Sequence, residues 1–339
     1  MKKSVLFLIM LLALSLVTAG LVFAGGEQEA EPAESEEMEE SAEEEPLKAA
    51  MLMSGPINDG GWNTSAYEGL QMLESEMGYE IAYTENVKQA DQKNLLRNYA
   101  KKGYDVIFGH GFEYGDAILE VAKEYPDTYF FNIGGVAQAE NVGAAIFAQG
   151  ELSYLMGKLA AKFTKTDKVG FVGAMEIPSI ANEVEVIKQT VKEYNSDASV
   201  TVAYTGSWTD VNKGKEAALA QIANDVDVMI CIGDACDVGA IRAAEESGDA
   251  YVIGWSGDFN SLAPDVVLTS GVQSVPVMVE QVGKQVMNGN FKNEARVLGI
   301  KEGVQFPGTW SDSVPEDLKA EIMADYEKIK SGEMEKRLD

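Results

Sequence analysis

The stretch "GPINDGGWN", residues 55–63, joins the apolar run "LKAAMLM" (47–53) to "TSAYEGLQMLESEM" (64–77). The first neighbour reads as a buried strand. The second reads as an amphipathic helix, because its apolar residues recur at helical spacing. Three glycines, a proline, two asparagines, an aspartate and a tryptophan therefore fill a tight strand-to-helix turn. Gly55, Gly60 and Gly61 suit a backbone that takes positive φ or lies close to a ligand. A large indole in such a turn needs a further reason.

The same strand-then-helix grammar runs through the rest of the chain. Strand patterns occur in "YEIAYTE", "YDVIFGH", "TYFFNIG" and "VGAAIFA", then in "KVGFVGA", "VTVAYTG", "VDVMICIG", "YVIGWS" and "DVVLTSGV". Helical patterns separate them, among them "ADQKNLLRNYAKK", "SYLMGKLAAKF" and "NEVEVIKQTVKEY". Such alternation predicts an α/β fold with parallel sheets covered on both faces. Nearly 300 residues exceed one ordinary core, so two Rossmann-like lobes are expected, dividing near Gly150.

The first 24 residues read as an export signal: a basic "MKK", an apolar core, and "TAGLVFA" with Val22 and Ala24 at the cleavage positions. An uncleaved anchor is the alternative. No cysteine lies nearby, so no lipobox is present, and the mature chain is expected in the periplasm or cell envelope. Residues 25–46 form an acidic segment. Eleven acids and no basic residue between Glu27 and Glu45 predict a disordered tether. Setting aside Lys2, Lys3 and those eleven acids leaves 25 basic and 44 acidic residues, a formal charge near −19. That charge argues against nucleic acid or anionic lipid as partners. Cys231 and Cys236 are the only cysteines, and both a disulfide and two buried thiols fit the sequence. One histidine and two cysteines leave little for a metal site.

In parallel sheets, ligands bind beyond the carboxyl ends of the strands, where helix N-termini present unpaired N–H groups. Trp62, Phe112, Trp208 and Trp255 fall in or beside loops of this kind. Facing aromatics across a cleft would stack on a planar ring. Asn58, Asp59, Asn63, Asp234 and Asp258 are interleaved and would supply directional hydrogen bonds. The glycine-rich turn lacks the spacing of a dinucleotide or P-loop motif, and no nearby Lys or Arg offsets Asp59, so phosphate is disfavoured. His110 at a strand end reads as a hydrogen-bonded structural residue. Neither a nucleophile elbow nor an HExxH motif occurs, so no catalytic residue is assigned and no cofactor is expected.

Five segments, in order, resemble those of the basic membrane protein family of ABC-transporter substrate-binding proteins, which includes purine nucleoside receptors. They are "GPINDGGWNTSAYEGL", "GYDVIFGHGF", "KVGFVGAMEIP", "GSWTDVNKGKEAA" and "LAPDVVLTS". The first is similar to the family motif D-x-S-F-N-x-x-x-x-x-G, with Asp59, Trp62, Asn63 and Gly69 at its Asp, aromatic, Asn and Gly positions. The resemblance implies a type I periplasmic-binding-protein fold whose cleft closes on a ligand. It also implies a base held between aromatics of the two lobes, here Trp62 and Trp208. Asn58, Asp59, Asn63 and Phe112 would join Trp62 on the amino-terminal lobe. Asp234 and Trp255 would join Trp208 on the other, with Asp258 and Gln273 near the crossovers.

The amino-terminal lobe is expected to comprise 47–150 plus about 259–290, and the carboxy-terminal lobe 151–258 plus about 291–339. Gly134, Ser256 and Gln273 replace family residues, two aspartates and a lysine, some of which help hold ribose, so a free nucleobase suits the sequence as well as a nucleoside. The resemblance further implies an importer permease as partner and a monomer in solution. Riboflavin or another flat heterocycle, and a sensor or surface-antigen role, are its alternatives.

Overall fold

The computed structural model describes residues 45–338; the expected export signal, and the acidic segment as far as Glu44, lie outside them. Two six-stranded sheets organise the described chain. The first contains β1 (Lys48–Met53), β2 (Glu80–Thr84), β3 (Val106–His110), β4 (Tyr129–Ile133), β5 (Val142–Phe147) and β11 (Ala295–Leu298). Its order is β11-β5-β4-β3-β1-β2, and every pairing is parallel. The second contains β6 (Lys168–Gly173), β7 (Ser199–Tyr204), β8 (Val228–Ile232), β9 (Tyr251–Ser256), β10 (Val267–Gln273) and β12 (Gln305–Pro307). Its order is β12-β10-β9-β8-β6-β7, and only β12 runs antiparallel.

Alternation along a strand sends successive side chains to opposite faces, and here both faces are packed. Ala49, Met51 and Met53 of β1 enter one core with helices α1 (Trp62–Met77) and α8 (Val275–Met287). Ala50 and Leu52 enter the other, against α2 (Gln92–Lys101) and α3 (Gly115–Val121). The second lobe repeats the plan: Val228, Ile230 and Ile232 of β8 pack on one face, Met229 and Cys231 on the other. Covered faces explain why the central strands read as continuous apolar runs rather than alternating ones.

Two boundaries differ from the sequence expectation. β10 pairs with β9, so the chain stays in the second lobe through Gln273 rather than leaving it near residue 259. β11 pairs with β5, so the chain is in the first lobe through Leu298 rather than returning near 291. The chain thus crosses between sheets three times: after β5, after β10 and after β11. The reason for the misreading is physical. An apolar strand pattern fixes burial but not which of two sheets the strand joins.

α4 (Glu151–Phe163) and α9 (Glu316–Ser331) pack together in the second lobe, where the buried Lys158 ammonium lies 2.5 Å from Asp325 and 2.9 Å from Glu321. On the opposite face, α6 (Val211–Ile222) and α7 (Ala235–Ser247) make close backbone contact. A Cβ at Gly239 would meet backbone atoms of Val211, Gly214 and Lys215, and one at Gly214 would meet the Cys236 backbone. Gly239→Ala tests this contact. Ala is the better helix former by about 1 kcal/mol, yet overpacking should lower the unfolding free energy by about 1–3 kcal/mol in denaturant titration. A stabilised variant would contradict the close packing.

Candidate functional site

The carboxyl ends of the strands of both sheets face one another, and the loops there carry the candidate residues. The turn after β1 is organised by Asp59. Oδ1 accepts from the N–H groups of Gly61 and Thr64 and from the Thr64 hydroxyl, each at 3.0 Å. Oδ2 accepts from the Asn63 N–H at 3.0 Å and its side-chain amide at 2.7 Å. Burial works to raise the Asp59 pKa, but these donors outweigh it and hold the carboxyl below its ordinary value. Asp59 therefore caps α1 instead of offering free lone pairs, and Asn63 is buried as its partner. Both side chains are engaged in this cap, a role the sequence reading did not assign them. Asn58 is exposed.

That cap fixes Trp62 as the first residue of α1. The indole stacks on His110 with centroids 4.1 Å apart at 25°, and its edge approaches Phe147 at 6.1 Å. A Cβ at Gly134 would lie 3.3 Å from the indole ring, so the glycine at this departure from the family pattern makes room for it. His110 Nε2–H donates to the Trp62 carbonyl at 3.0 Å. Complete burial pushes His110 down to about 3, so it is a neutral platform under the tryptophan and takes no part in proton chemistry at ordinary pH. Trp62 itself is half-buried.

Across the cleft, Trp208 is 36% exposed in the loop after β7. Its carbonyl accepts from the Ala235 N–H at 3.1 Å, and its neighbour Ser207 accepts from the Cys236 thiol at 3.0 Å. Cys231 and Cys236 are both buried free thiols, which settles the choice the sequence left open. The loop is thus tied to the start of α7, where Asp234 stands. Asp234 in turn lies beside the Gly61–Trp62 backbone of the first lobe. The two tryptophan loops therefore meet through Asp234.

Other contacts close the same seam. A Cβ at Gly61 would lie 3.2 Å from Asp234 Oδ1, and one at Gly257 would lie 3.3 Å from the Gly60 carbonyl. Asp234 holds φ 51°, ψ −112°, a backbone conformation that favours glycine and stores strain in any other residue. Asp237, one turn further along α7, is wholly buried, and burial together with Asp234 pushes its carboxyl well above the ordinary range. No sequence motif singles out Asp237.

The remaining candidates divide. Phe112 is 72% exposed in a short 3-10 turn after β3. Met175 after β6 and Val136 after β4 are also exposed apolar side chains on loops of this kind, and the sequence reading missed both. Trp255 is 3% exposed and belongs to the second-lobe core, with Gly271 against its ring, so it anchors β9 and is not a cleft wall. Asp258 accepts from the Thr309 N–H at 2.9 Å and hydroxyl at 2.6 Å, which commits one oxygen to the segment after β12. Gln273 ends β10 at the second crossing, opposite Gln305. A groove of about 300 Å³ adjoins the seam, lined by Gly60, Thr64 and Glu68 from one lobe and Ser256, Asp258 and Phe306 from the other.

The contact through Asp234 carries a pH dependence. Burial, and then the charge of Asp59, raise Asp234 to about 7 in this arrangement, against an ordinary 3.8. The closed seam thus binds a proton that an opened, solvated carboxyl would release, so closure is favoured at low pH and weakens as pH rises from about 4 through 7. Glu183 titrates near 7 as well, pushed up by its burial beside the first crossing. Asp234→Asn separates the two. The ligand-free protein should become more open between pH 5 and 8 by solution X-ray scattering, and the variant should lose most of that change. An equal response in the variant would place the titration elsewhere.

Residues 47–337 match the family model described as ABC transporter substrate-binding protein PnrA-like. Among relatives, a purine-binding protein of Brucella abortus is 30% identical over 296 residues, covering 86% of this chain and 83% of that one. The transcriptional activator protein Med of Bacillus subtilis is 30% identical over 293 residues, covering 85% and 90%. A solved ABC transporter solute-binding protein from Conexibacter woesei superposes with a TM-score of 0.74 at 27% identity, covering 85% and 98%. The chain therefore belongs to the PnrA-like family of ABC-transporter substrate-binding proteins, extracytoplasmic and non-enzymatic, which bind small-molecule ligands and work with transporter components.

Proposed function

We propose that this protein captures a flat, uncharged purine-type heterocycle between its lobes and delivers it, as a monomer, to the permease of an ABC importer. The observation that carries the reading is the pair of tryptophan loops joined through Asp234. Trp62 is braced from below by His110, and Trp208 is partly open on the facing lobe. Aromatics on facing lobes suit a planar ring, which gains stacking energy beyond buried area. The turns holding Trp62, Phe112, Trp208 and Asp234 contain no Lys or Arg, which disfavours phosphorylated ligands. Asp234, near neutrality when buried, supplies an oxygen for a ring N–H or amino group. Similarity to a purine-binding protein supports the same ligand class.

Closure follows from differential contact. A ligand touching both lobes stabilises the arrangement in which Trp62 and Asp234 meet, because those contacts are absent when the lobes part. A sensing role on the same fold draws support from the similarity to Med, and an unchanged uptake rate in a deletion strain would favour it. The site test is calorimetric titration of Trp62→Ala with hypoxanthine, adenine, guanosine and riboflavin. Loss of buried area and stacking should cost about 2–4 kcal/mol, a weakening of roughly 30- to 1000-fold. Unchanged affinity, with the fold intact by circular dichroism, would remove Trp62 from the ligand site.

A further inference from the structure

The segment that follows α9 does not end as a free tail on the second lobe. It runs back to the crossings between the lobes. The Leu338 N–H donates to the Gln149 carbonyl at 2.9 Å, on the first crossing. Arg337 Nε donates to Glu151 Oε1 at 3.0 Å, and Nη2 to Glu302 Oε2 at 2.9 Å, on the third crossing. Its Nη1 also reaches the Val297 carbonyl at 3.5 Å, on the edge strand of the first-lobe sheet. Glu151 is buried and its second oxygen accepts from the Ile300 N–H at 2.7 Å. One guanidinium thus links two of the three crossings through a forked pair of carboxylates, the geometry for which arginine is suited.

The backbone around the fork is shaped for it. Gly150 takes φ 93°, and a Cβ there would collide with the Lys336 carbonyl. A Cβ at Gly299 would lie 2.8 Å from Arg337 Nη2 and would also collide with Glu151. Hinge motion in a two-lobed binding protein is absorbed by φ/ψ changes at a few such crossing residues. Crossings tied to one another cannot rotate independently.

We propose that residues 335–338 form a strap over the hinge, in which Arg337, through Glu151 and Glu302, sets the balance between open and closed lobes. Arg337 is a positioning residue: it touches no ligand-facing side chain and acts on affinity through the hinge alone. The strap presupposes the lobe closure of the proposed function, but it can be read without any ligand. Because its contacts are made with the lobes touching, including one that spans them, removing them shifts the population toward open lobes.

The test compares the full chain with Arg337→Ala, Arg337→Lys and a chain stopped after Met334. Solution scattering on the ligand-free proteins should show a larger radius of gyration for Arg337→Ala and the shortened chain. Arg337→Lys should fall between, since it keeps the charge without the fork. With hypoxanthine as probe, dissociation should accelerate at least about fivefold, the lower end of a typical coupling, while competition among purines keeps its order. Unchanged scattering in both variants would overturn the strap. A lowered melting temperature with unchanged scattering would overturn it too, leaving a structural anchor. If hypoxanthine binds none of the proteins, the ligand assignment fails, and the scattering alone decides the strap.

Discussion

The arrangement depends first on how one carboxylate satisfies the start of a helix. A helix N-terminus leaves N–H groups without partners, and the glycines of this turn have no side chains to satisfy them. Asp59 does so with both oxygens, binding Gly61, Asn63 and Thr64 at once. That places Trp62 at the first helical position, with its carbonyl on His110 and the preceding Gly61 against Asp234 of the other lobe. The indole is therefore oriented by backbone contacts on either side of it, and its ring rests on a buried neutral imidazole. Removing the cap would cost about 1 kcal/mol of helix stability, but its larger effect would be to release Trp62 from its place at the start of α1.

The second lobe answers with less rigidity. Trp208 sits on a loop held by the Ala235 N–H and the Cys236 thiol, both belonging to the start of α7. α6, which follows that loop, packs closely on α7 at Gly214 and Gly239. Asp234 concentrates cost there, in an unfavourable backbone region and with a carboxyl that burial pushes up. Strain at a contact made only when the lobes meet is consistent with a two-state element: the seam can open without loss to either core. Each lobe has its own pair of apolar clusters, so the hinge carries motion while the cores do not.

Much of this was legible in the sequence because burial writes itself into composition. β1, β3 and β8 are covered on both faces and read as apolar runs. β11 and β12 were not legible: "ARVL" is a partly exposed edge strand and "QFP" is three residues long, so neither leaves a periodic signal. The loops carrying Trp62, Phe112 and Trp208 were found, yet residue type misled within them. An aspartate beside a tryptophan suggests a ligand donor, but Asp59 was already claimed by the helix it precedes. Trp255 lies within β9, and its position in that strand rather than its identity sends it into the core. The hinge contacts of Arg337 join residues more than thirty positions apart, and no local pattern reports them.

A slot for a planar purine-type ring between the two tryptophan loops should retain its ligand through purification. The most direct measurement is to purify residues 46–339 without added ligand, denature the protein, and identify the released small molecules by ultraviolet absorbance and mass spectrometry. The account predicts a purine base or nucleoside, released in stoichiometric amount from the parent protein and reduced in Trp62→Ala. Recovery of a sugar, an amino acid or a phosphorylated compound in its place would contradict it.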